Sequence, residues 1–201
     1  MMTHKTKVII FDSGINVNEL AKRILDNEPK ILEKHPPTNW NKTLYTDGGT
    51  GLGYNSLTSR SCHYNILDWE GMESLRNEIR NGYELYTNIK DNPLYIQCWA
   101  NVMRKGEKIQ PHIHRPEYVE PSQSMSGHLS VQVDGSTSTY YAGKPILNKP
   151  GQMTFFSSIV SHWTNTYYGE KERITIAFDI VSKDLFDVDV YEEAKSHWVR
   201  I

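Results

Sequence analysis

Apolar positions along the chain change their period once, close to residue 92. Upstream they recur every three or four residues. Leu20, Ala21, Ile24 and Leu25 share one face of a predicted helix with Asn16 or Asn18 as candidate cap, and Val8-Ile9-Ile10-Phe11 before it reads as a short strand. Met72, Leu75, Ile79, Tyr83 and Tyr86 predict a second amphipathic helix from Trp69 to about Tyr86, and such a helix needs a surface to cover. Beyond Asn92-Pro93 the period is two, with candidate strands at 94–103, 109–115, 127–133, 138–142, 152–156, 160–166 and 173–181. Asp134-Gly135, Pro150-Gly151 and Tyr168-Gly169 are turn signals between several of them.

Three of these strands separate an apolar from a polar side. Ile96, Cys98, Ala100 and Val102 oppose Tyr95, Gln97, Trp99 and Asn101; Leu129, Val131 and Val133 oppose His128, Ser130 and Gln132; Ile174, Ile176, Phe178 and Ile180 oppose Arg173, Thr175, Ala177 and Asp179. The polar sides either face solvent or line a lumen whose outer, apolar wall is covered by the two helices. The helices require an apolar wall of that kind, which favours the lumen. The expected fold is mainly β with flanking helices, an antiparallel sandwich or barrel with the N-terminal helices packed on one sheet. One domain is expected over 1–201, with a flank of helices and loops at 1–92, a β core at 93–182 and a tail or helix at 183–201.

Charge and cysteine content narrow the function classes. Twenty-two basic and 24 acidic residues give a formal charge of −2 with no basic cluster, so a nucleic-acid partner is not favoured. With only Cys62 and Cys98, and no apolar leader, the expected compartment is reducing and cytoplasmic; no apolar run is long enough for a membrane span. Asp47-Gly48-Gly49-Thr50-Gly51-Leu52-Gly53 invites comparison with a phosphate-binding loop, but no Gly-Lys-Ser/Thr follows. A mobile loop over an active-site mouth is the better expectation.

His112-Ile113-His114 lies in a predicted strand, so both imidazoles project to one side and can reach one ion. His162, 47 intervening residues later, is a candidate third ligand from a neighbouring strand. After ten further residues comes Arg173, with Thr175 on the same strand face. A guanidinium fork takes both oxygens of a carboxylate, and a hydroxyl beside it adds a third hydrogen bond. Gln97, Trp99, Asn101, His128 and Ser130 are expected in the same lumen. Tyr140, Tyr141, Trp163, Tyr167 and Tyr168 are expected near its rim, whereas His4, His35, His63 and His197 read as surface or structural.

Trp99-Ala100-Asn101-Val102-Met103-Arg104-Lys105-Gly106, Pro111-His112-Ile113-His114, Ser126-Gly127, Pro150-Gly151-Gln152-Met153-Thr154-Phe155-Phe156, His162 and Arg173-Ile174-Thr175 together resemble the iron(II)- and 2-oxoglutarate-dependent oxygenases, in particular a compact branch of marine bacteria and phages. The likeness spans about residues 95 to 181 and leaves 1 to 90 uncovered. It implies a double-stranded β-helix (jelly-roll, cupin-like) barrel, Fe(II) held by His112 and His162, and the far carboxylate of 2-oxoglutarate held by Arg173 and Thr175. Trp99, Asn101 and His128 would contribute to cosubstrate or substrate contacts. O₂ would be consumed with release of succinate and CO₂, and a C–H bond of a small molecule, amino acid or peptidyl side chain would be hydroxylated.

His114 departs from the family pattern, which has Asp or Glu there. Three outcomes are open: His114 ligates as a third imidazole, Glu117 swings in, or water completes the set. Strand geometry favours His114. Two other readings are retained, a three-histidine cupin dioxygenase that does not use 2-oxoglutarate and a non-catalytic metal- or ligand-binding barrel. A homodimer through a C-terminal helix from Val188 to Trp198 is a further open expectation.

Overall fold

The computed structural model describes residues 7–36, 47, 49–114, 123–183 and 197–201. Among the described residues nine strands form two antiparallel sheets. The larger contains β1 (Val8–Asp12), β2 (Leu94–Met103), β3 (Met125–Gln132), β6 (Gln152–Ser157), β8 (Arg173–Ser182) and β9 (Val199–Arg200), in the order β1-β6-β3-β8-β2-β9. The smaller has β5 (Lys144–Leu147), β4 (Ser138–Tyr141) and β7 (His162–Thr164), in the order β5-β4-β7. Hydrogen bonding among the described residues gives two open sheets. Strand order places β8 between β2 and β3, so the three strands with the cleanest alternation lie side by side.

That adjacency makes their apolar sides one continuous surface. Ile96, Cys98, Ala100, Val102, Leu129, Val131, Ile174, Ile176, Phe178 and Ile180 belong to a single buried cluster with Leu20, Ala21 and Ile24 of α1 (Val17–Lys34) and Leu75, Ile79 and Tyr83 of α2 (Glu73–Thr87). Burying whole Leu, Ile or Phe side chains stabilises by roughly 1.5–3 kcal/mol each, which explains why the helices cover this face and leave the polar one inward. Helix α2 lies close to the sheet at Gly82, where an added Cβ would come within 2.0 Å of the Phe155 ring. Gly82→Ala should therefore destabilise by about 1–3 kcal/mol despite its better helix propensity. Urea denaturation checks this, and an unchanged midpoint would contradict the close approach.

Several expectations need correction. Of the predicted strand 109–115 the described part, 109–114, is irregular, and it meets the small sheet at an isolated bridge, His112 with His162, and at the Thr164 N–H, which donates to Ile109 O at 3.1 Å. Pro111 has no N–H, the Ile109 N–H goes to the Thr164 side chain at 2.9 Å, and the Gln110 N–H goes to Thr50 O at 2.7 Å, so no regular ladder forms. Asn16 caps α1 by position but makes no side-chain capping bond, and α1 continues through Pro29 to Lys34. Strands β5 and β9 were not predicted. Most of the expected C-terminal helix, 188–198, lies outside the described residues.

Candidate active site

Three imidazoles converge between the sheets. The ring nitrogens that can serve as ligands on His112, His114 and His162 lie within 4.8 Å of one another. His162 opens β7, and the reciprocal backbone bonds of the bridge (3.2 and 3.0 Å) clamp His112 beside it. His114 is anchored two residues on by its N–H to Ser158 O at 3.0 Å. The two-residue spacing brings both rings to one side, although the backbone is not a regular strand.

Each ring has its Nδ1 engaged. His112 Nδ1 lies 2.8 Å from Gln110 O and His162 Nδ1 3.0 Å from Val160 O, contacts in which Nδ1–H donates and Nε2 keeps its lone pair. His114 Nδ1 instead meets Asp179 Oδ1 at 2.5 Å. Burial, reinforced by the neighbouring imidazoles, holds the pKa of His162 well below the ordinary value, and burial with His114 nearby lowers that of His112 to about 4. Three imidazole nitrogen donors aimed at one point suit a divalent transition metal.

Arg173, at the start of β8, lines the same cavity as the three histidines. It is 1% exposed and has no carboxylate partner among the described residues. Nη1 lies 3.4 Å from Met103 Sδ, Nη2 lies 3.2 Å from Asn148 Oδ1 and 3.4 Å from Thr139 Oγ1, and Nε has no partner. Burial pushes its pKa down to about 10. A buried guanidinium is costly unless an anion meets it. Thr175, one turn of the strand pleat further, lines the cavity with it.

The other sequence candidates divide. Trp99, Asn101 and His128 line the cavity. Asn101 Oδ1 accepts from Thr58 Oγ1 at 2.6 Å and from Trp99 Nε1 at 3.2 Å. His128 sits behind Arg173 among Tyr141 and Asn148, its pKa lowered to about 3 by burial and by the guanidinium. Gln97, by contrast, turns to Ser61 O at 3.2 Å and is not in the lining. Tyr141 and Tyr167 are buried rather than at a rim, while Trp163 stacks on Tyr140 with centroids 5.5 Å apart. His35 and His63 stack on each other at 4.9 Å, away from the site. Glu117 lies outside the described residues.

Residues not singled out from sequence also contribute. The glycine-rich loop docks on the histidine segment through the Thr50–Gln110 backbone bond, bringing Thr50 into the lining. Asp47 organises it, accepting the Gly49 N–H at 3.1 Å and the Gly53 N–H at 2.7 Å. Thr139 comes from β4 and Asn148 from just after β5, and no sequence pattern announces them. Asp179 did have a signal, since it shares the polar face of Arg173 and Thr175.

Paired antiparallel sheets enclosing histidines and an arginine have the double-stranded β-helix fold of iron- and 2-oxoglutarate-dependent oxygenases. Solved structures carry the comparison. A viral collagen prolyl hydroxylase of Paramecium bursaria Chlorella virus-1, in complex with 2-oxoglutarate, superimposes with a TM-score of 0.56 at 10% identity, covering 86% of this chain and 94% of its own. The epimerase SnoN, in complex with Fe³⁺, α-ketoglutarate and nogalamycin RO, gives 0.54 at 10% identity, covering 88% and 79%. CytC3 with Fe(II) and α-ketoglutarate gives 0.52 at 16% identity, covering 88% and 73%. No family model matches the sequence, and no curated protein matches it. At these identities the common property is the fold.

Proposed function

We propose that this chain is an Fe(II)- and 2-oxoglutarate-dependent oxygenase that hydroxylates a C–H bond of a small molecule or amino-acid side chain. The observation that carries the reading is Arg173, a buried guanidinium without an acid partner among the described residues, in the cavity that holds three convergent imidazoles. His112, His114 and His162 would hold the metal through Nε2. Arg173, with Thr175 beside it, would grip the far carboxylate of 2-oxoglutarate, whose oxoacid end is then directed toward the histidines. When bound, iron and 2-oxoglutarate would supply oxidation of a C–H bond by O₂, with one oxygen atom appearing in succinate, released with CO₂, and the other in the hydroxylated substrate.

The remaining side chains prepare the cavity for that load. Backbone carbonyls at Gln110 and Val160 fix the tautomers of two rings, so the ligand nitrogens need no reorganisation. Phe156 packs against His162 with centroids 4.6 Å apart and Trp99 against His114 at 5.6 Å, keeping bulk water from the inner side. A fold enclosing a metal without 2-oxoglutarate would leave the Arg173 charge buried to no purpose, which disfavours the cupin reading.

Anaerobic addition of Fe(II) and 2-oxoglutarate should produce the visible charge-transfer band of the metal-oxoacid chelate, and admission of O₂ with a panel of candidate substrates should yield succinate. Absence of both the band and 2-oxoglutarate binding would overturn the proposal. A band without succinate across the panel would favour a binding protein, and O₂ uptake independent of 2-oxoglutarate would favour direct oxidation by a three-histidine centre.

A further inference from the structure

We propose that Asp179 is a positioning residue for the metal centre, supplying through His114 the negative charge that a directly ligating carboxylate would otherwise provide. The inference rests on the reading of His112, His114 and His162 as metal ligands and assigns the residue behind one of them.

Asp179 lies on β8, on the cavity-facing side that also presents Arg173 and Thr175, and is 5% exposed. Its Oδ1 accepts Nδ1–H of His114 at 2.5 Å and the Ser126 hydroxyl at 2.6 Å. Ser126 Oγ is held in turn by Ser158 Oγ at 2.7 Å, and Ser158 O receives the backbone N–H of His114 at 3.0 Å. The carboxylate and the ring are thus locked to the same short segment. Among the described residues no Lys or Arg forms an ion pair with Asp179; His114 is its partner. A carboxylate this deep carries a large desolvation cost unless compensated. An imidazole and a hydroxyl are modest compensation, so the arrangement calls for a positive charge on the far side of the imidazole, where the three ligand nitrogens meet.

The three rings are treated unequally. His112 and His162 donate to backbone carbonyls, whereas His114, in the position where a carboxylate ligand is usual, donates to a buried carboxylate. A divalent ion with three imidazoles and one adjacent carboxylate has the same net charge as one with two imidazoles and a ligating carboxylate. Carboxylate-histidine-metal arrangements orient the ring and strengthen its donor nitrogen, and their loss typically lowers metal affinity about 10- to 100-fold.

Asp179→Asn retains an oxygen that can accept Nδ1–H but removes the charge. The test is the Co(II) and Fe(II) affinity of the full chain by anaerobic competition titration, with the Tm of the metal-free protein measured in parallel. The Kd of Asp179→Asn should rise about 10- to 100-fold. Ser126→Ala, which leaves the carboxylate but frees it on one side, should raise it in the same direction and by less. In a His114→Ala background the Asp179→Asn change should add nothing further, because the charge then has no route to the metal. An unchanged Kd in Asp179→Asn, or an equal loss with and without His114, would overturn the proposal even if the wild type binds metal. A wild type that binds neither metal would remove the ligand reading itself, and this inference with it.

Discussion

Arg173→Ala should weaken 2-oxoglutarate binding by at least about a hundredfold while leaving metal affinity within a few-fold. Two charge-assisted hydrogen bonds from one guanidinium contribute about 1.5–3 kcal/mol each in a buried setting, and 3 kcal/mol already exceeds a hundredfold. Metal affinity is spared because none of the guanidinium's contacts is a histidine of the triad: they are Met103, Thr139 and Asn148. The variant has a second signature. Among the described residues no acid meets the buried guanidinium, so its removal relieves a desolvation cost, and the cosubstrate-free protein should lose less stability than truncation of so large a buried side chain normally costs. Anaerobic titration followed through the charge-transfer band, with Tm on the same samples, checks both. Equal 2-oxoglutarate affinity in variant and parent would refute the role assigned to Arg173.

The reason this arginine was legible in the sequence lies in the regularity of β8. Ten residues of clean alternation place Arg173, Thr175, Ala177 and Asp179 opposite four apolar positions, and the two upstream helices explain which side is outward. The same logic identified Trp99, Asn101 and His128. It failed wherever hydrogen bonding, rather than burial, decides the backbone. The segment from Ile109 to His114 is held by the Thr164 side chain, Thr50, His162 and Ser158 in turn, an arrangement with no periodic signature. Strand β5 contains Pro145 and is largely exposed at a sheet edge, so it alternates with nothing; its turn at Ala142-Gly143, both at positive φ, was the available clue. Gln97 shows the limit of face assignment, since being on the polar side of β2 did not place it in the cavity once Ser61 lay within reach. Asp179 was on the correct face, but its partnership with His114 spans 65 residues and depends on two sheets meeting.

His162→Ala should bring metal affinity down by more than a hundredfold and abolish the charge-transfer band. Structural zinc sites hold their ion with roughly 10–16 kcal/mol over four ligands, so one ligand is worth about 3 kcal/mol, and a three-imidazole site has fewer to spare. The pH dependence of the intact site is equally diagnostic. A protonated imidazole cannot ligate, and two imidazoles with the ordinary pKa of about 6.5 would together reduce affinity about a thousandfold at pH 5. Burial among neighbouring rings lowers His112 to about 4 and keeps His162 well below its ordinary value. Both therefore remain neutral as pH falls through 6.5, and His112 begins to compete with protons only near pH 4. Between pH 8 and 5 the logarithm of metal affinity should fall with a slope of no more than one per pH unit. A slope of two or three in a Co(II) titration would mean that His112 and His162 protonate as exposed histidines do, and that the rings do not sit in the enclosed cluster from which the oxygenase reading starts.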